Sequence, residues 1–318
     1  MSRQNKELEE IDYSLGYLLK SKWIISLVIL FVFTVISYIP FEKKLENMVY
    51  SSLASIPGCP MSINSFNFEF FSPKVVFKDI VIPSKCLPSK ERDLKIDKAF
   101  VSFRGISFSP FGLSFKAETR VMDSLIEAYI IPSFTSISIL LENESDNGKI
   151  VSMENQINLS ELSKYIPKVK LIGHLVISTA YLQLGYNGEL KDMAINLASS
   201  DIAIPTQKIM GYKLQKLDLK KLLIQVDLLK NDKLHLKKFI IGSDKSPLIT
   251  SFTGDIKLNQ RAIKNSNLDI TGELKLDESL LSNNLLLQGY LNQFDKKDKF
   301  YQIQMKGKLG RPSVSSAR

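Results

Sequence analysis

The sequence predicts a mainly β protein: an N-terminal transmembrane helix, then a long antiparallel, curled, groove-like β-sheet domain with few short helices. Three observations predict it. Residues 23–41 (WIISLVILFVFTVISYIPF) carry no charge. Beyond residue 59, apolar side chains recur at every second position in segment after segment. Stretches with a helical period are few and short.

The uncharged run comes first. At ~1.5 Å per residue it covers about 28 Å, enough for the hydrocarbon core of a bilayer. Trp23 and Tyr38 sit near its ends, and Ile24, Leu27, Leu30, Phe31, Phe33 and Ile36 fill it. A cleaved signal peptide is the competing reading. The bulky Tyr38-Ile39-Pro40-Phe41 and the roughly 20 residues ahead of the run favour a retained anchor. Arg3, Lys6, Lys20 and Lys22 precede it, against Lys43 and Lys44 after it. That bias points to a cytoplasmic tail at 1–22, an anchor at 23–41 and an exported body.

Residues 42–58 follow as a juxtamembrane amphipathic helix, with Leu45, Met48, Val49 and Leu53 at helical spacing. Two readings stand for its apolar stripe: a membrane surface, or the sheet. Cys59 and Cys86 are the two cysteines of the chain. In an oxidising compartment they are a disulfide candidate, and otherwise two buried thiols.

The β-rich domain occupies 59–310. Its apolar positions alternate with polar ones at Phe66, Phe68 and Phe70, then at Phe111, Leu113 and Phe115. The pattern continues at Leu248, Phe252, Ile256 and Leu258, and at Leu268, Ile270, Leu274 and Leu276. It closes at Tyr301, Ile303, Met305 and Leu309. Such alternation describes strands with one dry and one wet face. Tyr186-Asn187-Gly188-Glu189 reads as a hairpin turn. Residues 159–165 (LSELSKY) form the best helix, with Ser160 as N-cap and Pro167 ending it. Helices this short cannot cover the sheet, so its apolar faces either meet in a sandwich or line a groove. Residues 253–258 (TGDIKL) and 271–276 (TGELKL) echo each other, each with a glycine on the apolar phase where a strand can bend or another chain approach. Residues 311–318 read as a flexible tail.

Chemistry is sparse. The net charge is +9, from 42 basic and 33 acidic residues. The basic segment 212–241 offers only Tyr212 and Phe239 for base stacking, so a polar strand face or anionic headgroups fit better than nucleic acid. His174 and His235 fall on the polar phase of their strands. No nucleophile elbow, zinc-binding His pair or phosphate loop occurs. The expectation is a protein that is not an enzyme and holds no metal or cofactor.

Two segments carry a resemblance: residues 61–71 (MSINSFNFEFF) followed by 73–82 (PKVVFKDIVI), directly after the anchor and amphipathic segment. This entrance resembles that of AsmA-like envelope proteins. The layout, with the turn at 159–167 leading into 171–175 (LIGHL) and the closing 301–309 (YQIQMKGKL), resembles the GspN-type component of type II secretion systems. The resemblance implies an inner-membrane, single-pass protein with a periplasmic domain. Its expected partners are inner-membrane lipid and other secretion subunits. The AsmA-like alternative implies a lipid-binding or lipid-transfer protein holding phospholipid or other acyl chains in an apolar β-groove.

Overall fold

The computed structural model describes residues 26–28, 30, 41–54, 59–69, 74–87, 92–121, 123–143, 145–146, 149–150, 155–165, 170–209, 212–229, 232–260, 262–282 and 285–317. The chain divides into two compact units, Met1–Ser55 and Ile56–Arg318.

In the first unit, helix α1 spans Phe41–Ala54. Residues 26–28 and 30 are helical, with Leu27 and Leu30 exposed. Among the described residues no helix is long and apolar enough to cross a membrane. Most of the expected span, including Trp23, Ile24, Phe31, Phe33, Ile36 and Tyr38, lies outside them.

The second unit is a meander. Its strands are β1 (Ser65–Glu69), β2 (Lys74–Ile82), β3 (Leu94–Phe108), β4 (Phe111–Val121), β5 (Ser124–Pro132) and β6 (Ser136–Glu142). Short pieces follow: β7 (Ser145–Asp146), β8 (Lys149–Ile150), β9 (Gln156–Asn158) and helix α2 (Leu159–Leu162). Then come β10 (His174–Gly185), β11 (Leu190–Ile204), the small hairpin β12 (Gln207–Ile209) and β13 (Tyr212–Leu214), and β14 (Leu217–Leu229). The chain closes with β15 (Lys233–Ile241), β16 (Leu248–Lys257), β17 (Asn267–Leu276), helices α3 (Glu278–Ser282) and α4 (Leu285–Leu291), β18 (Lys296–Lys297), β19 (Phe300–Lys308) and β20 (Arg311–Ser316).

One antiparallel sheet of 16 strands takes up nearly all of them, in the order β1-β2-β3-β4-β5-β6-β10-β11-β14-β15-β16-β17-β19-β18, with β9 beside β10 and β20 beside β19. The mainly β, antiparallel expectation therefore holds. The curled form does not: the sheet is neither closed nor strongly curled. Of the two uses expected for the glycines of the echoed segments, a bend or the approach of another chain, Gly272 serves the second. A Cβ at Gly272 would stand 2.2 Å from the Ser251 oxygen and 2.3 Å from the Phe252 ring, so this glycine makes room for the backbone and aromatic side chain of the neighbouring strand. The sandwich alternative fails as well, since among the described residues one sheet takes up all strands but those of the two small hairpins.

Two local expectations are corrected. Asn158, not Ser160, caps α2: the helix begins at Leu159, so Ser160 already lies within its first turn, and the Asn158 side chain accepts from the Ser160 N–H. Residues 311–316 are not a free tail but the strand β20, paired with β19 from Lys308↔Arg311 to Ile303↔Ser316. Pro312 is tolerated there because an edge strand needs donors on one side only. The turn at 186–189 forms as expected, with Gly188 at φ 80° and the Gly185 N–H donating to Glu189 O at 2.7 Å.

Candidate functional site

Directly opposed residues of antiparallel strands point to the same face, so the register traces each face across the sheet. Starting at Phe103, one row runs Phe103↔Phe115, Phe115↔Ile130, Ile130↔Ile139, Ile139↔Leu182 and Leu182↔Met193. Ile195, two residues on from Met193, continues it as Ile195↔Val226, Val226↔Leu236, Leu236↔Gly254, Gly254↔Ile270 and Ile270↔Met305. Every side chain in the row is apolar, and the one residue without a side chain is Gly254. On the opposite face Asp227↔His235, His235↔Asp255, Asp255↔Asp269 and Asp269↔Lys306 form a charged ladder from β14 to β19, whereas from β5 to β11 that face carries Tyr129↔Leu140, Leu140↔Tyr181 and Tyr181↔Ala194.

Part of the apolar face is covered. Leu159 of α2 packs with Ile202, Leu217, Leu219 and Leu222, and Leu280 of α3 joins this cluster. Leu291 of α4 and the following Phe294 pack on Tyr301 and Ile303, flanked by Phe252, Leu274 and Met305. Between these clusters and β3, Ile130, Ile139, Leu182, Met193, Ile195, Val226 and Leu236 are only half-buried and belong to neither. Among the described residues no second sheet lies over them. Among the described residues the result is an apolar surface capped at two places and only half-buried over the middle of the row.

The residues expected on this face are placed as follows. Phe66 and Phe68 of β1 share it through Phe66↔Phe77 and Phe77↔Ala99. Phe115 lies on it half-buried, while Phe111 and Leu113 are exposed at its end. Leu268 and Ile270 are buried, Leu248, Ile256 and Leu276 half-buried. Leu258 and Leu309 leave the face, the first in the loop after β16 and the second, exposed, in the β19–β20 turn. Phe70 lies outside the described residues. Val226 and Leu236 follow the alternation of the basic segment 212–241, but the part of the row from Ile130 to Ile195 escaped sequence reasoning; its signal is the alternation in 180–197 (AYLQLGYNGELKDMAINL), broken there by a turn and a register shift at Gln183/Leu184.

The polar face holds the charges. The Lys116 ammonium reaches Glu127 at 2.7 Å and Glu118 at 2.8 Å. Burial works to lower its pKa, but the hydrogen bonds to the two carboxylates and their charges outweigh that, so the net direction is upward. Asp255 receives Lys233 at 2.8 Å and the His235 ring at 2.8 Å, and these hydrogen bonds hold its carboxyl below the usual range. Asp201 is pushed up by burial, yet the backbone N–H and ring of His174 and the Ser199 hydroxyl bring it down overall.

His174 is not arranged as the base of a Ser-His-Asp triad. Ser199 Oγ donates to Asp201 Oδ1 at 3.2 Å, and His174 Nδ1 meets Asp201 Oδ2 at 2.8 Å. The carboxylate stands between serine and imidazole, so the ring is not placed to take the hydroxyl proton, as a triad requires. Among the described residues no three His, Cys, Asp or Glu side chains are grouped to hold a metal. A polar cleft of about 740 Å³ is lined by Asn187, Gly188, Glu189, Asp232, Leu258, Asn259 and Gln260. Its shape follows from Gln260, whose amide pairs with both the N–H and C=O of Leu190 and with Asp232. It is a clasp between loops.

Cys59 and Cys86 form a disulfide, with Cα atoms 5.3 Å apart. It ties the segment before β1 to the short 3-10 turn Ser84–Cys86 after β2.

Compared with known protein families, with characterised proteins and with solved structures, the chain matches none.

Proposed function

We propose that this is a membrane-anchored lipid-handling protein of the cell envelope, whose sheet shelters acyl chains on its bare apolar face. The observation that carries the reading is the apolar row from β3 to β19 with no second sheet over its middle among the described residues. At ~4.8 Å between strands the row is roughly 50 Å long, several times the ~15 Å depth of one leaflet's hydrocarbon. A protein exposing that much apolar surface to water aggregates or covers it with a ligand. Acyl chains suit it because the row is long, narrow and free of buried hydrogen-bonding groups that a headgroup would need.

Two further features support an envelope setting. Disulfides persist in oxidising compartments, which favours a domain outside the cytoplasm. The uncharged segment 23–41 supplies an anchor of suitable length. A structural role in a type II secretion apparatus rests on chain layout alone. It predicts loss of secreted enzymes on gene deletion with envelope lipids unchanged.

Lipid handling is tested by extracting the purified full-length chain after detergent exchange and quantifying lipids by mass spectrometry. Phospholipid should co-purify. Leu182→Asp combined with Val226→Asp should lower it several-fold with the circular dichroism spectrum intact, whereas Gln225→Asp on the polar face should not. A folded wild-type protein repeatedly free of lipid would contradict the reading.

A further inference from the structure

The apolar face does not stop where the sheet ends. At one end of the strands β3 and β4 run on as a hairpin: β3 continues for six residues, Phe103 to Phe108, beyond its last pair with β2, Lys74↔Ser102. Its register carries the apolar face to the tip through Ile106↔Leu113 and Phe108↔Phe111. Beside it the β5–β6 turn presents Phe134, which stacks on Phe111 with ring centroids 6.5 Å apart. Phe108 is 85% exposed and Phe134 89%. With the exposed Phe103, Ile106, Phe111 and Leu113, and 150–250 Å² per aromatic side chain, the patch is on the order of 700 Å². Monomers rarely leave a patch that large to water.

We propose that these two hairpin tips dip into the interface of a phospholipid bilayer and form the point where the apolar face opens onto the membrane. The composition of the tips favours a bilayer over a protein partner. Residues 105–115 (GISFSPFGLSF) and 128–141 (AYIIPSFTSISILL) contain no charged residue, although hairpin ends in water usually carry charge. The polar atoms they offer are hydroxyls and backbone groups, which headgroup water satisfies without a matched partner.

Basic groups flank the tips rather than occupy them. Arg104 is exposed where the uncharged stretch begins. Lys191 is held at the β5–β6 turn by donating to Thr135 O at 3.1 Å. Cations at headgroup depth with aromatic rings below them match the layering of an interface. The Tyr186 hydroxyl, donating to Ser133 O, joins the next turn to the same end of the sheet. The proposal rests on the lipid-handling reading for what passes between bilayer and face, but not for the insertion itself.

The two parts separate experimentally. Trp23 is the only tryptophan, so Trp23→Phe gives a silent background in the full-length chain. Phe108→Trp and Phe134→Trp then report from the tips, and Thr271→Trp from the polar face. Each protein is reconstituted in vesicles of phosphatidylcholine and phosphatidylglycerol, with or without lipids brominated at defined acyl positions. Interfacial insertion predicts blue-shifted emission at both tips and about a twofold loss of intensity, greatest for bromines near the headgroups, with Thr271→Trp unaffected. Water-like, unquenched emission from both tips would overturn the proposal. So would blue-shifted emission that bromine never quenches, the mark of a protein contact or a second copy of the chain. Extracting lipid from the same samples distinguishes the readings: quenched tips on a lipid-free protein leave insertion standing and remove the acyl-chain groove, while unquenched tips on a lipid-loaded protein do the reverse.

Discussion

Asn155 is fully buried and holds three strands at once. Its backbone N–H donates to Leu125 O at 2.8 Å, and its carbonyl accepts from the Ile177 N–H at 2.9 Å. Its side chain accepts from the Glu127 N–H at 2.8 Å and donates to Glu142 O at 3.2 Å. The residue sits at φ 54°, a left-handed conformation that asparagine adopts far more readily than most side chains. Asn155→Ala should leave two backbone groups unsatisfied in a buried site and cost about 2–4 kcal/mol, read as a lower urea midpoint. None of this was legible beforehand, because one asparagine in a polar stretch looks like any turn residue. Leu274 and Ile303 were legible, since alternation alone assigns them to a face. For Gly272 the sequence left a bend and the close approach of another chain both open, and the Ser251 oxygen and Phe252 ring of the neighbouring strand decide for the close approach.

Among the elements, strands were easier to find than what lies on them. Period-two alternation marks a strand whether its dry face meets a helix, a second sheet or nothing. That is why sandwich and groove both fitted the sequence. The caps over the face come from pieces too short to carry a period: α2 is four residues and α3 five. Edge strand β20 was missed because Arg311-Pro-Ser-Val-Ser-Ser316 has almost no apolar face of its own and pairs through its backbone. The first strands depend on a covalent element instead. The Cys59–Cys86 bond closes a loop with a sequence separation of 27, worth roughly 3–4 kcal/mol in the chain-entropy account. Replacing both cysteines by alanine should speed amide hydrogen exchange in β1 and β2 and leave β16, β17 and β19 unchanged. Uniform loss of protection across the sheet would show that the bond acts globally.

At the scale of the whole molecule, the sheet separates two environments. Charges gather on one side, where Lys116 pairs with Glu118 and Glu127, and Asp255 with Lys233 and His235. Apolar side chains gather on the other, where the two helical caps leave the central row bare. Such a surface is stable in water only when something apolar lies on it. The central claim is that acyl chains do. Site-specific photo-crosslinking in the native membrane tests this most directly, with benzoylphenylalanine placed at Val226 on the apolar face and at Gln225 on the polar face. The account predicts phospholipid adducts from Val226 and none from Gln225. Equal labelling from both positions, or adducts at Val226 only with protein, would contradict it.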